Sequence, residues 1–129
     1  MLANKVAVIT GANKGIGKAI AENFIKNNAT VWLCSRKIDK NHFNKLKKNN
    51  EIFFVEFDFS NSSEVIESAK HITKNNTKID ILVNNAGIID TSLFLMTKID
   101  EIKNMFDINF FEQLRFTQII IKKMMKSEN

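Results

Sequence analysis

Apolar residues in this chain fall into two kinds of run that alternate along its length. Four short stretches are predominantly apolar and rich in β-branched or aromatic residues: Lys5-Val6-Ala7-Val8-Ile9-Thr10, Thr30 to Cys34, Ile52-Phe53-Phe54-Val55-Glu56-Phe57, and Ile79 to Val83. Each reads as a buried strand. The stretches between them are periodic. From Gly15, Ile16, Ile20 and Phe24 recur at helical spacing with Ala19 and Ala21 beside them, and the pattern fades at Asn27-Asn28. A polar, lysine-rich segment with Phe43 and Leu46 inward predicts a second helix. Ser60-Asn61-Ser62-Ser63-Glu64 offers several N-cap residues ahead of a stripe of Val65, Ala69 and Ile72. A loop containing Gly87 leads to a long final helix, Lys98 to Lys126, with Ile99, Ile102, Phe106, Phe110, Leu114, Thr117, Ile121 and Met124 expected inward.

Strands that read as nearly continuous apolar runs, each followed by a helix, imply a parallel sheet covered on both faces. The β-α-β-α-β-α-β-α order has no repeat and no linker, and 129 residues suffice for one small domain. With right-handed crossovers this is a three-layer α/β sandwich of Rossmann-like type. Pattern alone leaves a flavodoxin-like sheet open as the alternative.

Composition narrows the function classes. At 44% hydrophobic and 26% charged residues the balance is globular. No window is apolar enough to span a bilayer, and the N-terminus lacks the pattern of a secretion signal, so a membrane partner is not expected. The single cysteine, Cys34, excludes an internal disulfide and fits a reducing compartment, with the cytoplasm as the expected location. With His42 and His71 both distant in sequence, no metal site is expected. The net charge of +5 invites a nucleic-acid reading. The lysines, however, are spread along helix faces, and Lys, Asn and Ile (17, 17 and 18 residues) share A/T-rich codons. No nucleic-acid partner is expected.

Two motifs carry candidate chemistry. Thr10-Gly11-Ala12-Asn13-Lys14-Gly15-Ile16-Gly17 joins the first strand to the first helix. Gly11 permits a tight turn, and the missing side chains at Gly15 and Gly17 permit close approach of backbone, ligand and sheet. Free N–H groups at the helix start then favour a pyrophosphate. The second motif, Asn84-Asn85-Ala86-Gly87, follows the fourth strand, where ligands bind in open α/β sheets. Its two amides can tie strands together and line a pocket.

As a pair, these motifs resemble the short-chain dehydrogenase/reductase family over essentially the whole chain. Asn84-Asn85-Ala86-Gly87-Ile88, Leu93, Met96 and Ile121-Lys122-Lys123-Met124-Met125-Lys126 are most similar to 3-oxoacyl-(acyl-carrier-protein) reductases. The resemblance implies a nicotinamide dinucleotide partner and a strand order 3-2-1-4. Gly11, Ala12, Asn13, Lys14 and Ile16 would surround its ribose and phosphates. Asp58 would accept from the adenine amino group and the Phe59 backbone would touch the adenine ring. Asn85, Ala86 and Gly87 would line the nicotinamide-side ribose. Asn109 matches the family's helix asparagine, which supports a water-mediated proton relay in the catalytic group. On this helix its amide is expected to need a partner or a water.

The end of the second strand bears on the cofactor. An NAD-preferring site places a carboxylate there for the ribose 2′-hydroxyl. Here the strand runs into Ser35-Arg36-Lys37, with no carboxylate before Asp39. Arg36 can pair with a 2′-phosphate through its planar fork, and Lys14 adds a second cation. NADP is the expected cofactor, with NAD the alternative should Asp39 reach back.

The family's chemistry also needs a serine and a Tyr-x-x-x-Lys pair, and this chain contains no tyrosine. Residues 1–129 are therefore read as an incomplete NAD(P)-binding Rossmann domain, a fragment that ends before strand five. It is expected to be inactive alone and to expose the edge of Ile81-Leu82-Val83. Three readings stay open: a truncated NADP-linked oxidoreductase, one half of a split enzyme completed by a C-terminal chain, and a non-enzymatic nucleotide-binding or interaction fragment. A homo-oligomer is a further way to cover the exposed surface.

Overall fold

The computed structural model describes residues 1–88 and 93–126. Four strands, β1 (Val6–Thr10), β2 (Thr30–Ser35), β3 (Ile52–Glu56) and β4 (Ile81–Val83), form one parallel sheet in the order β3-β2-β1-β4. The order is that of a Rossmann-like fold. Helices α1 (Gly15–Lys26), α2 (Lys40–Asn44) and α3 (Ser62–Lys74) connect consecutive strands. Beyond β4 come a 3₁₀ turn (Phe94–Met96), α4 (Ile99–Phe106), a π turn (Asp107–Phe111) and α5 (Glu112–Lys126).

Strand alternation divides the core into two layers. Ala7, Ile9, Val31 and Leu33 point to one face and pack with Ala21 and Ile25 of α1 and Phe43 of α2. Val8, Trp32 and Cys34 point to the other and pack with Val65, Ala69 and Ile72 of α3 and Phe116 and Ile120 of α5. The central strands β1 and β2 are thus enclosed on both sides. Their register, Val6 opposite Thr30 through Thr10 opposite Cys34, brings both C-terminal ends to one edge of the sheet. Burial pushes the Cys34 thiol far above its ordinary pKa, so it serves as a small apolar side chain.

Local signals set several boundaries. Asn61 caps α3 by accepting from the Glu64 N–H at 3.2 Å, within the cap cluster read from the sequence. Helix α1 ends at Lys26, and Asn28 takes a left-handed φ of 68°. Helix α2 is a five-residue piece, much shorter than its lysine-rich pattern suggested.

Two predicted helix faces are corrected. In α1 the buried residues are Gly17, Ala21 and Ile25, while Ile16 is 73% exposed. The reason is steric. A Cβ at position 17 would overlap the Gly11 carbonyl oxygen, so the helix lays its smallest face on the sheet and turns Ile16 outward. In the final helix the inward side chains are Ile108, Phe116 and Ile120, not Ile99, Phe106, Phe110, Leu114 and Ile121. That helix is apolar on two sides, and the π turn inserts an extra residue that rotates the stripe between α4 and α5. Ile102, Thr117 and Met124 are half-buried.

Candidate functional site

The site forms where β1, β2 and β4 end. Thr10, the last residue of β1, is fully buried, and its hydroxyl makes three bonds. It accepts from the N–H groups of Asn85 and Ala86, each at 3.1 Å, and donates to the Val83 carbonyl at 3.4 Å. One hydroxyl thereby uses its whole hydrogen-bonding capacity to lock the glycine turn against the end of β4. The Asn85 amide adds a second tie by donating to the Gly11 carbonyl at 3.2 Å. Gly11 itself has a φ of 65°, and a Cβ there would lie 2.9 Å from the Ala86 Cα. The two motifs are therefore one packed unit. Asn84 faces away from it and exchanges hydrogen bonds with Thr117 of α5 at 3.2 and 3.4 Å.

Beside this unit lies a cavity of about 600 Å³. Gly11, Lys14 and Gly15 line it from the glycine loop, Ser35 and Arg36 from the end of β2, Phe57 to Ser60 from beyond β3, and Asn85 to Ile88 from beyond β4. Asn104 and Ile108 close it from the final helix. The volume lies within the range of small-molecule sites.

The helix that starts at the cavity has an open N-terminus. Among the described residues no side chain caps α1, and its first turn holds no carboxylate. By contrast, Asp39 caps α2, Asn61 caps α3, and Glu101 reaches back to the Lys98 N–H at the start of α4. The unpartnered N–H groups and the positive dipole end of α1 suit an anionic group. Lys14 and Arg36 add positive charge at the same mouth, and neither makes an ion pair within 4 Å among the described residues.

Asp58 is held as an anion. The Ser60 N–H donates to its Oδ1 at 2.9 Å and, with lesser help from the Ser60 hydroxyl and from Arg36, keeps the carboxyl below its ordinary range, against a smaller effect of partial burial. It remains an acceptor at neutral pH.

The structure gathers most of the residues picked from the sequence: Gly11, Lys14, Arg36, Asp58, Phe59, Asn85, Ala86 and Gly87 all line the cavity. Four others do not. Ala12 is buried in the core layer under α1, where its N–H donates to the Cys34 carbonyl. Ile16 projects to solvent. Asn13 turns aside and accepts from the Asp39 N–H at 3.1 Å. Asn109 lies in the π turn and spends its amide on Ile88. Its Oδ1 accepts from the Ile88 N–H at 2.6 Å and its Nδ2 donates to the Ile88 carbonyl at 2.7 Å. The partner this amide was expected to need is thus the backbone after β4. Thr10 was missed as a site residue. Its place as the last strand residue before Gly11 was the available signal, but its partners lie more than seventy residues away.

Among the described residues no three His, Cys, Asp or Glu side chains converge as a metal site, and no helix is long and apolar enough to cross a membrane.

Comparison with known proteins agrees with this geometry. A 3-oxoacyl-(acyl-carrier-protein) reductase FabG from Buchnera aphidicola subsp. Baizongia pistaciae is 33% identical over 126 residues, covering 96% of this chain and 51% of that protein. An uncharacterized short-chain type dehydrogenase/reductase from Sinorhizobium fredii is 36% identical over 123 residues, 95% of this chain and 47% of the relative. Among solved structures, a 3-oxoacyl-(acyl-carrier protein) reductase from Brucella melitensis in complex with NAD superposes with a TM-score of 0.83 at 25% identity, covering 97% of this chain and 51% of that one. An L-sorbose reductase from Gluconobacter frateurii, complexed with NADPH and L-sorbose, gives 0.84 at 28% identity over 95% and 48% of the two chains. The chain spans about half the length of these relatives. The sequence profile of the short chain dehydrogenases matches residues 5–129, and with the shared sheet order and the joined glycine and Asn-Asn-Ala-Gly motifs this chain belongs to that oxidoreductase family.

Proposed function

We propose that residues 1–129 are the dinucleotide-binding part of an NADP-linked carbonyl reductase, of the kind that reduces 3-oxoacyl thioesters. The observation that carries the reading is the paired cations at the cavity mouth. Lys14 and Arg36 both face it, while Asp39, the carboxylate that would favour NAD, uses its side chain to cap α2 through the His42 N–H at 3.2 Å. A 2′-phosphate would meet two cations there, and a bare 2′-hydroxyl would meet no carboxylate from the end of β2.

The bound dinucleotide would supply the hydride. The chain's own residues hold and orient it. The start of α1 would take the pyrophosphate, anionic Asp58 would accept from the adenine, and Asn85 to Gly87 would bound the nicotinamide end. Asn109 acts as a positioning residue, since it grips Ile88 and so holds the loop after β4 against the π turn.

Titration with NADPH and NADH tests the site. NADPH should bind saturably and more tightly, and Arg36→Asp should weaken it about tenfold or more while changing NADH about twofold at most. Equal effects on both nucleotides, or no saturable binding by folded protein, would overturn the assignment.

The lack of tyrosine in these 129 residues favours a second reading, in which the chain binds the nucleotide without turning it over. Steady consumption of NADPH by the purified chain with a 3-oxoacyl thioester would exclude it. Activity that emerges only when a second chain bearing Tyr-x-x-x-Lys is added would mark a split enzyme.

A further inference from the structure

The cation that reads the 2′-position sits on a two-residue span, and the structure shows what holds that span in place. Ser35 is fixed at one end, where its carbonyl accepts from the Phe57 N–H at 3.0 Å. Arg36 and Lys37 follow. At the other end the Ile38 N–H donates to Glu56 Oε2 at 2.9 Å, and the Asp39 N–H donates to Asn13 Oδ1 at 3.1 Å. The two acceptors come from different elements, Glu56 from the end of β3 and Asn13 from the glycine loop. The buried Ile38 side chain anchors the same point in the core.

The geometry points to Glu56, with Asn13, as a clamp that positions Arg36 and so sets discrimination for the 2′-phosphate. This inference rests on the phosphate reading of Arg36 given above. Glu56 would act through backbone, not by touching the nucleotide. It is exposed, and its pairing with Lys40, also exposed, at 3.9 Å contributes little. The Ile38 bond is the one that matters.

Adenosine 2′,5′-bisphosphate and adenosine 5′-monophosphate differ by the 2′-phosphate alone, so the ratio of their dissociation constants isolates the effect. Titrated against the full chain, wild-type protein should favour the bisphosphate. Glu56→Ala should reduce that preference about fivefold, the loss of roughly one hydrogen bond's ordering, while binding the monophosphate within about twofold of wild type. Glu56→Gln keeps an acceptor and removes the charge, and should restore the preference. Amide exchange at Ile38 should rise about tenfold in Glu56→Ala and stay near wild type in Glu56→Gln.

An unchanged ratio in Glu56→Ala, a failure of Glu56→Gln to restore it, or equal weakening of both nucleotides would each overturn the clamp and leave the phosphate reading standing. Wild-type protein that binds both nucleotides alike would overturn the phosphate reading and the clamp with it.

Discussion

Two regions of this molecule that both carry many large apolar side chains are unequally buried. In β1 and β2, Val8, Ile9, Val31 and Leu33 are wholly enclosed between two helical layers. In the final helix, Phe106, Phe110, Phe111, Leu114, Ile121 and Met125 are exposed, although their spacing is that of an amphipathic helix. The preceding 3₁₀ turn carries Leu95 at 96% exposure. The difference lies in neighbours, not in residue type. A strand flanked by strands and sandwiched by helices has no free face, whereas a helix with apolar residues on two sides can lay only one of them on the sheet.

The comparison breaks most visibly by truncating one leucine on each side. Leu33→Ala, in the closed layer, should destabilise the fold by about 3 kcal/mol, and Leu114→Ala, on the open face, by about 0.5 kcal/mol, as read from urea unfolding midpoints. Similar losses at both positions would mean that the outward face of α5 is buried in solution.

A smaller effect is expected where the sides meet. Thr10→Val keeps the shape of the strand end but strands the N–H groups of Asn85 and Ala86, at about 1–3 kcal/mol. Thr10→Ser keeps the hydroxyl and should recover most of that loss in thermal melts. If serine proves as costly as valine, the methyl group and not the hydroxyl joins the motifs.

The smallest effect is electrostatic. Asp58 has its folded pKa below its ordinary value of 3.8, so its anion adds stability that is fully present above that value and is lost as pH falls through the folded one. Asp58→Asn should therefore lower the melting temperature slightly at neutral pH, and the gap to wild type should close in acid. A gap that is constant or widening below pH 3.8 would contradict the assignment.

Sequence periodicity was most legible where one local rule decided the outcome. The α3 stripe of Val65, Ala69 and Ile72 was read correctly because its opposite face is polar and only one orientation buries it. In α1 the same rule chose Ile16, Ile20 and Phe24. Ile20 and Phe24 do pack, part-buried, against the core, but Ile16 does not, because Gly17 must approach the Gly11 carbonyl closely, a constraint that exists only once helix and strand are packed. The final helix failed for a different reason: a π turn changes the phase within a continuous apolar pattern.

The candidate site divides in the same way. Lys14, Arg36, Asp58 and Asn85 to Gly87 line one cavity because each stands past a strand end, and parallel strands bring their ends to one edge. Ala12, Asn13 and Ile16 share the glycine loop, but adjacency along the chain does not determine where each side chain turns, and all three turn away from the cavity.

What the sequence by itself determined is the alternation of strand and helix, the parallel sheet it compels, and the glycine and Asn-Asn-Ala-Gly motifs that mark the family. Only the tertiary structure decided that Thr10 joins those motifs, that Asn109 grips Ile88, and that Glu56 and Asn13 hold the backbone that follows Arg36 and Lys37. The physical reason is range. Burial periodicity and turn chemistry act over a few residues and are written locally. A hydrogen bond between groups 18, 21 or 75 positions apart exists only after folding has brought the distant segments together.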